Sequence, residues 1–394
     1  MISYTEAHKI VIETVKDFGE TQVHIMDSIG RVLSEDILAD RDFPPFNRST
    51  KDGIAVNAEH VKINNPLRIE GVCAAGDPQK KLQDPAHCLE IMTGAVLPLN
   101  CDAVIMYEEV DIENGKARIS SSPKPEQNIH RKGSDQQKDE LILEKGEQIS
   151  SQNIGILASV GKESLRVKKL PKVAIISTGN ELVPIDQVPE IHQIRTSNSY
   201  TLQALLKQLN IESELMHIPD EKKILEKRIR EALQDFDVLV LSGGVSKGKY
   251  DYLPEIFEKL SVQKKFHRVA QQPGKPFWFG IHQEYKTHIF AFPGNPVSTY
   301  VNFHIYFNDW MDACLGQSSK KYEIRMNDEV ENPTDLTKFL LVSANHEKAV
   351  LTGDLVNGNG SGDLVSLSKA SGVIKVDKQS AFKVGSVFSY IPFR

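Results

Sequence analysis

The stretch DVLVLSGGVSKGKYDY (237–252) decides the fold, because a strand-length apolar run leads directly into two glycines. The run DVLVLS (237–242) predicts a strand buried on both faces, as is typical of a parallel sheet. From Gly243 the sequence reads G-x-x-x-x-G-K, the beginning of the phosphate-binding loop of nucleoside triphosphatases. That loop continues with a Ser or Thr that binds Mg²⁺, whereas Tyr250 stands here, and Pro254 indicates that the next helix begins late. We therefore interpret the stretch as a different kind of anion-binding loop.

Apolar runs and amphipathic segments alternate on both sides of this stretch. Strands are predicted for the runs at 172–177, 211–218, 237–242 and 288–292. Helices are predicted around 202–209, 221–234 and 254–260, and from Val297 onward. Strands that alternate with helices form parallel sheets covered on both faces. Residues 171–316 are therefore expected to form a parallel, doubly wound α/β domain.

The remaining sequence predicts three further domains. Ser3 and Glu6 form a capping box for an N-terminal helix, whose apolar positions continue at helical spacing to Phe18. Short apolar runs separated by Pro, Gly and Asn predict β structure on both sides of the α/β domain. We expect a linking α/β domain of residues 1–40 and 136–170, a β-barrel-like domain inserted at 41–135, and a small C-terminal β-barrel or sandwich at 317–394.

The composition of the 394 residues argues against several classes of protein. A net charge of −6 leaves no basic surplus for binding nucleic acid. The four cysteines show no C-x-x-C spacing, which indicates a reducing compartment without a disulfide framework or a zinc finger. The acidic residues Glu6, Glu13 and Asp17 argue against a signal peptide, and no apolar run is long enough to cross a membrane. We therefore expect a cytoplasmic protein without a nucleic-acid or membrane partner.

Glycines, hydroxyls and carboxylates follow all four predicted strands of the α/β domain. They are Ser177, Thr178 and Glu181 after the first strand, Asp220 after the second, Gly243, Gly244, Ser246 and Asp251 after the third, and Pro293, Gly294, Asn295 and Ser298 after the fourth. Because ligands bind at the carboxyl ends of parallel strands, we expect these residues to meet in one site. The glycines let backbone N–H groups approach phosphate oxygens, and the helix from Val297 directs its positive end toward the same place. The three carboxylates are oxygen ligands suited to Mg²⁺, and Lys275 is a counter-charge on a proline-stiffened loop.

Each of these features also has a purely structural interpretation. The glycine pair can be a tight turn, and both Asp220 and Asp251 can be helix N-caps. Ser298 stands in the first turn of a predicted helix, where serine is common. The convergence of four strand ends favours a binding site over these alternatives.

Eight motifs carry a resemblance to a known family. They are FPPFNRSTKDGIAV (43–56), IMTGAVLP (91–98), NIHRKGSD (128–135), STGNEL (177–182), SGGVSKGKYDY (242–252), QPGKP (272–276), PGNPVS (293–298) and GNGSGD (358–363). Through them the sequence closely resembles the molybdopterin molybdenumtransferases, the family of the bacterial MoeA proteins and the gephyrin E domain. The resemblance covers essentially the whole chain. It implies an elongated homodimer of four-domain subunits, each with a molybdopterin-binding-like α/β domain.

The resemblance also implies a reaction. The family takes adenylylated molybdopterin and molybdate, inserts molybdenum into the dithiolene and releases AMP, with Mg²⁺ as the divalent cation. Its active site lies between the α/β domain and N-terminal segments of the partner subunit. The molybdopterin adenylyltransferase that acts upstream is a further candidate partner.

Motif positions within the family imply roles for the acidic residues. Glu181 and Asp251 would hold the metal ion or polarise the water that cleaves the adenylate. Asp52 and Thr93 would reach into the site from the partner subunit. Without the family, these last two are equally well explained as turn residues that each precede a glycine.

The same positions imply which residues hold the two substrates. Ser246 and Lys275 match positions that the family uses around molybdate, and Ser361 would approach from the C-terminal domain. Asn295 and Ser298 would bind the pterin or its phosphate. No covalent intermediate on the protein is expected.

The sequence departs from the family pattern around the expected molybdate site. Gln272 stands where a basic residue often precedes P-G-K-P, and Leu341 aligns with a family arginine, although Lys338 lies nearby. Loss of two cations weakens the electrostatic capture of an oxyanion in a partly desolvated pocket. Near Asp52 the segment reads T-K-D-G-I where many relatives have M-D-G-Y, so that Lys51 adds a charge. These residues leave the choice between molybdate and tungstate open.

Two other functions are compatible with the sequence. One is a molybdopterin adenylyltransferase, although such enzymes usually consist of the α/β domain alone or of its fusion to this longer family. The other is a non-catalytic scaffold or pterin-binding paralogue, which Gln272 and Leu341 favour. Retention of the carboxylates and the lysine favours an active enzyme, namely Glu181, Asp220, Asp251 and Lys275.

Overall fold

The computed structural model describes residues 1–245, 251–318 and 322–393. The chain forms two compact units. The larger unit contains Met1–Thr21, Gly30–Val32 and Val167–Arg394, and the smaller unit contains Gln22–Ile29 and Leu33–Arg166. The finer division into four domains stays a prediction. No helix in the described ranges is both long enough and apolar enough to cross a membrane.

The helices of the described residues are short. They are α1 Tyr4–Ile12, α2 Ser151–Ser159, α3 Ser197–Gln208, α4 Lys222–Asp235, α5 Leu253–Lys259, α6 Pro296–Asn302, α7 Asp309–Cys314 and α8 Leu364–Lys369, with a π-helical segment Phe303–Asn308 between α6 and α7 and 3₁₀ turns at Ile25–Ser28 and Tyr107–Glu109.

The strands follow one another along the whole chain. They are β1 Glu20–His24, β2 Ile37–Leu38, β3 Arg48–Ser49, β4 Gly53–Val56, β5 Leu67–Cys73, β6 Cys88–Ile91, β7 Ala103–Met106, β8 Val110–Glu113, β9 Lys116–Ile119, β10 Ile129–His130, β11 Leu141–Leu143, β12 Ser164–Lys168, β13 Val173–Thr178, β14 Leu182–Val183, β15 Ile194–Arg195, β16 Ser213–Ile218, β17 Val238–Ser242, β18 Val262–His267, β19 Gln271–Gln272, β20 Trp278–His282, β21 His288–Phe292, β22 Tyr322–Met326, β23 Val330–Asn332, β24 Thr337–Glu347, β25 Val350–Leu355, β26 Gly372–Val376, β27 Ser380–Phe382 and β28 Val387–Pro392.

A six-stranded sheet forms the centre of the larger unit, in the order β16-β13-β17-β21-β20-β18. The first four strands are parallel and are those predicted from the sequence. The parallel prediction holds for these four strands and not for the whole sheet, because β20 and β18 form antiparallel pairs with their neighbours. The reason is chain length: only residues 283–287 join β20 to β21, whereas a parallel connection needs roughly a dozen residues.

Helices cover both faces of this sheet, as the doubly wound prediction requires. Every residue of β13 and β17 is buried, and the side chains alternate between two apolar clusters. Ile175 and Val240 pack with α3 and the α6–α7 segment, while Ile176 and Leu241 pack with α4 and α5. Full burial of one such side chain contributes about 1.5–3 kcal/mol, so the alternation fixes which face each helix covers.

The N-terminal helix begins as predicted and ends earlier. The Ser3 side chain accepts a hydrogen bond from the Glu6 N–H, which confirms the N-cap. The helix stops at Ile12, and just beyond its end the Thr14 hydroxyl donates to the Val11 carbonyl at 2.7 Å. The helical spacing as far as Phe18 therefore predicted too long a helix.

The last part of the chain closes into a barrel, which decides for the barrel of the two predicted C-terminal alternatives. Its order is β24-β25-β22-β28-β26, and β26 pairs again with β24. Strand β19 adds to β24 in parallel, and the register places Gln271 beside Thr337 and Gln272 beside Lys338. In the smaller unit the main sheet has the order β7-β4-β6-β5-β9-β8.

Candidate active site

The strand order places a crevice at the carboxyl ends of β13 and β17. The chain passes from β13 to β16 on one side and returns to β17 on the other, which makes this position the topological switch point of the sheet. Open α/β sheets bind their ligands at such points. Ser177 and Thr178 end β13, and Gly243 follows β17, so these predicted residues lie at the switch point.

The turns after β17 and β21 are tied together by Asn198, near the start of α3. Its Nδ2 atom donates to Ser242 Oγ at 2.8 Å and to the Gly294 carbonyl at 2.7 Å. The Gly243 N–H also donates to the Phe292 carbonyl at 3.1 Å. Sequence reasoning missed Asn198, because its two partners lie 44 and 96 positions away along the chain.

Both the backbone conformation of this turn and its close packing require the two glycines. Gly243 and Gly244 have φ angles of +99° and +71°, which side chains of L-residues rarely tolerate. A Cβ atom on Gly244 would lie 2.8 Å from Thr178 Oγ1 and 2.6 Å from Leu253 Cδ1. The turn is therefore a tight turn and part of the crevice wall at the same time.

Three predicted carboxylates share one electrostatic environment at this end of the sheet. Burial raises the pKa of Asp220 above its usual value, and the charges of Glu181 and then Asp251 raise it further. The Asp220 N–H donates to Asn180 Oδ1 at 3.2 Å, which joins the turns after β16 and β13. These carboxylates repel one another, and a bound cation would reduce that repulsion.

The helix-cap interpretations of two carboxylates are wrong. The N-cap of α4 is Glu221 and not Asp220, and the N-cap of α5 is Tyr252 and not Asp251. Neither cap residue makes a side-chain capping bond.

The carboxylates fit Mg²⁺ in charge but do not form a complete cage. Among the residues described, no three His, Cys, Asp or Glu side chains stand close enough together to hold a metal ion. Mg²⁺ usually binds through one or two carboxylates together with waters and substrate phosphates. Glu181, Asp220 and Asp251 are compatible with that arrangement, and their role as ligands stays a prediction.

A second recess, here called the lysine cleft, lies beside the turn after β21. It has a volume of about 600 Å³, and its wall includes Lys275, Lys338, Asn295, Ser298 and Ser361. Among the residues described, none of those that line the cleft is acidic, and neither lysine ammonium has an ion pair or hydrogen bond. The described part of the cleft therefore has two positive charges without an acidic partner, in a protein whose net charge is −6.

The C-terminal barrel contributes directly to the lysine cleft. Asn295 Nδ2 donates to Ser361 Oγ at 2.7 Å, and the Val297 N–H donates to the Ser361 carbonyl at 3.0 Å. These bonds join the GNGSGD loop to the first turn of α6. Ser361 therefore lines the cleft together with Asn295 and Ser298 of the same chain, and its predicted role around molybdate stays a prediction.

A buried polar network holds the loop that carries Lys275. Gln271 Nε2 donates to Asn302 Oδ1 at 2.8 Å and to the Pro273 carbonyl at 3.0 Å. The Tyr306 hydroxyl donates to Gln271 Oε1. Gln271, Asn302 and Tyr306 are fully buried, so each lost bond would leave a polar group without water. No local pattern predicts this network, because its partners are 31 and 35 positions apart in the sequence.

In the smaller unit, Asp52 and Thr93 contact each other. The Thr93 N–H donates to Asp52 Oδ1 at 2.7 Å. This backbone bond and the Thr93 side chain lower the pKa of Asp52. The pair thus has a structural role in joining two turns, and its role in a partner's active site stays a prediction.

The predicted site residues of the larger unit fall into two adjoining groups. The crevice has Ser177, Thr178, Glu181, Asp220, Gly243, Gly244, Asp251 and Gly294, and the lysine cleft has Lys275, Pro293, Asn295, Ser298 and Ser361. Pro293, Gly294 and Asn295 are consecutive, so one turn borders both recesses. Ser246 lies outside the described residues.

Comparison with known proteins first identifies the class. Residues 2–161 match the family model described as the MoeA N-terminal region, domains I and II. Residues 174–313 match the model described as a probable molybdopterin binding domain. The α/β domain with its switch-point crevice is thus of the molybdopterin-binding class.

Full-length relatives then identify the family. The chain is 39% identical over 396 residues to a molybdopterin molybdenumtransferase of Synechocystis, an alignment that covers 99% of both chains. It is 32% identical over 370 residues to the protein of that name in Bacillus subtilis, covering 90% of this chain and 86% of that one. A crystal structure of a MoeA protein of Pyrococcus horikoshii superposes with a TM-score of 0.84 at 30% identity, covering 100% of this chain and 99% of that one. The chain belongs to the molybdopterin molybdenumtransferase family.

Proposed function

We propose that the protein inserts molybdenum from molybdate into adenylylated molybdopterin and releases AMP. The observation that carries the proposal is the lysine cleft, where two ammonium groups face no acidic lining residue among those described, next to a switch-point crevice. A dianionic oxyanion matches the cleft in charge, and a phosphorylated pterin matches a crevice rich in glycines and hydroxyls. Membership of the family supports this assignment of the two recesses.

The adenylylated pterin would lie along the crevice at the ends of β13, β17 and β21. Ser177, Thr178 and the Gly243–Gly244 turn would bind its phosphates, and Asn295 and Ser298 would bind the pterin end. Asn198 positions this surface, because it fixes the turn before Asn295 to the turn after β17. The metal-accepting dithiolene would then face the lysine cleft.

Lys275 would hold molybdate by charge-assisted hydrogen bonds, which are about twice as strong as neutral ones. Ser361 would orient the oxyanion, since it lines the cleft with Lys275. The fixed loop matters, because an ammonium group that is positioned in advance does not have to reorganise during the reaction.

Cleavage of the adenylate would take place near the carboxylates. Asp251 would orient the attacking water, and Glu181 and Asp220 would hold Mg²⁺ together with the phosphate oxygens. When bound there, Mg²⁺ would neutralise charge that develops on the phosphates. The raised pKa of Asp220 supports a cation at this place, because its neighbours repel its ionised form.

We further propose that the protein works as a homodimer. Asp52 and Thr93 of one subunit would complete the site of the other, and the low pKa of Asp52 keeps its carboxylate ionised for that role. If variants of the proposed subunit interface lose dimerisation and activity together, that result would support the homodimer.

A single assay tests the reaction. Purified protein receives adenylylated molybdopterin, Mg²⁺ and molybdate, and both AMP and metallated pterin are measured. We expect molybdate-dependent AMP release with one metallated pterin formed per AMP. Synthesis of the adenylate from ATP and free pterin would favour an adenylyltransferase instead, and binding without turnover would favour a scaffold.

A further inference from the structure

Lys338 of β24 lines the lysine cleft together with Lys275, and no motif of the resemblance contains it. Both side chains are half-buried, and neither ammonium has a partner within the described part of the chain. An ammonium group that is partly removed from water and left unpaired lowers stability, unless a ligand compensates it. Two such groups in one recess, with no acidic lining residue described, indicate a ligand with two negative charges.

The strand register gives Lys338 a defined place in the cleft. Gln272 of β19 and Lys338 of β24 are direct neighbours in a parallel pair, which places both side chains on the same face of the sheet. Residues 272 and 275 belong to the same loop. Lys338 therefore lies beside Gln272 on the neighbouring strand, and it lines the same lysine cleft as Lys275.

We propose that Lys338 is the second cation of the oxyanion site and determines its affinity for a tetrahedral dianion such as molybdate. The inference rests on the proposed function, since it assigns a further residue to the same cleft. Lys275 alone would leave a bound dianion with one unbalanced charge. Lys338 balances that charge from the neighbouring strand, whereas Gln272 and Leu341 carry no charge.

The neighbouring strand provides a matched control. Lys375 of β26 is paired in register with Phe339, one residue from Lys338. Its ammonium already has partners, an ion pair with Asp377 at 3.3 Å and the Tyr4 ring at 5.8 Å. Lys375 does not line the cleft. Removal of its charge should therefore leave oxyanion binding unchanged.

The test compares Lys338→Met, Lys375→Met and the double variant Gln272→Lys/Lys338→Met. Equilibrium binding of molybdate to the free protein is measured together with steady-state AMP release. We expect Lys338→Met to weaken molybdate binding and raise the molybdate KM by roughly ten- to hundred-fold, which is the value of one hydrogen bond to a charged group. The KM for the adenylylated pterin should stay unchanged. The double variant should recover most of the loss, because it restores a cation on the adjacent strand.

Three results would overturn the inference. They are unchanged molybdate binding in Lys338→Met, an equal loss in Lys375→Met, and no recovery in the double variant. Molybdate binding that depends on Lys338 without any AMP release would support the inference and reject the proposed reaction instead. Failure of the wild-type protein to bind molybdate would reject both.

Discussion

Replacement of Gly274 by alanine tests how the lysine cleft is held. Gly274 lies directly before Lys275 and has a φ angle of +86°. A Cβ atom there would lie 2.2 Å from Asn302 Oδ1 and 2.7 Å from both Asn302 Cγ and Asn302 Nδ2. Asn302 cannot easily give way, since it is fully buried and accepts the hydrogen bond from Gln271 Nε2. The new methyl group therefore has to displace the loop or break the network.

The expected cost has two parts. A left-handed backbone conformation costs an L-residue about 1–2 kcal/mol relative to glycine. Breaking the buried bond between Gln271 and Asn302 costs a further 1–3 kcal/mol or so, because a polar group is left without a partner. The free energy of unfolding should thus fall by about 2–5 kcal/mol in Gly274→Ala, with a weaker affinity for molybdate, because Lys275 moves.

Gly385→Ala is the matched control for the backbone part alone. Gly385 has the same φ of +86°, but nothing lies within 4 Å of the Cβ position. The free energy of unfolding in urea and the affinity for molybdate are measured for both variants. The comparison separates the cost of the left-handed backbone from the cost of the collision with Asn302. In the double variant Gly274→Ala/Asn302→Ala the loss should be smaller than the sum of the single losses, since the collision is removed. Equal destabilisation of Gly274→Ala and Gly385→Ala, with unchanged molybdate binding, would refute the reasoning.

Three further outcomes are expected. Tyr306→Phe leaves Gln271 Oε1 without its buried donor, so the free energy of unfolding in urea should fall by about 1–3 kcal/mol and the molybdate KM should rise. Asn198→Ala removes the bonds between the crevice turns, so the KM for adenylylated pterin should rise roughly tenfold in steady-state assays, with a smaller change for molybdate. The pKa of Asp220 is raised in the folded protein by burial and by Glu181, so its stabilising contribution is complete below its usual value of 3.8 and is lost as the pH rises through the folded value. Asp220→Asn should therefore unfold at a higher urea concentration than the wild type at pH 7, and the difference should shrink toward pH 4. Its Mg²⁺-dependent turnover should fall. A variant that is less stable than the wild type at pH 7 would contradict this.

The parallel strands could be predicted from the sequence because each is a short apolar run buried on both faces. The two antiparallel strands could not. Strand β18 reads VQKKFH and has three exposed residues in its middle, so that it lacks the apolar run of a central strand. Strand β20 is more apolar, but its direction follows from the short connection to β21 and not from its own residues. An edge position tolerates such composition.

The candidate site divides in the same way. Strand-end glycines and carboxylates are local signals, and they identified the crevice turns. The network of Gln271, Asn302 and Tyr306 depends on the approach of distant segments, which no local pattern encodes. Gln272 and Leu341 predict fewer cations at the expected oxyanion site than the family pattern has, and the sequence shows Lys338 only as lying nearby. The strand register adds what the sequence could not show, because it places Lys338 directly beside Gln272.

The position of the metal oxyanion tests the central claim most directly. Crystals of the protein soaked with molybdate, measured near the molybdenum absorption edge, give an anomalous difference map in which molybdenum alone stands out. The account predicts a peak in the lysine cleft, within hydrogen-bonding reach of Lys275 and Lys338 through the molybdate oxygens. A peak at another surface of the chain, with the cleft empty at a molybdate concentration that supports AMP release, would contradict it.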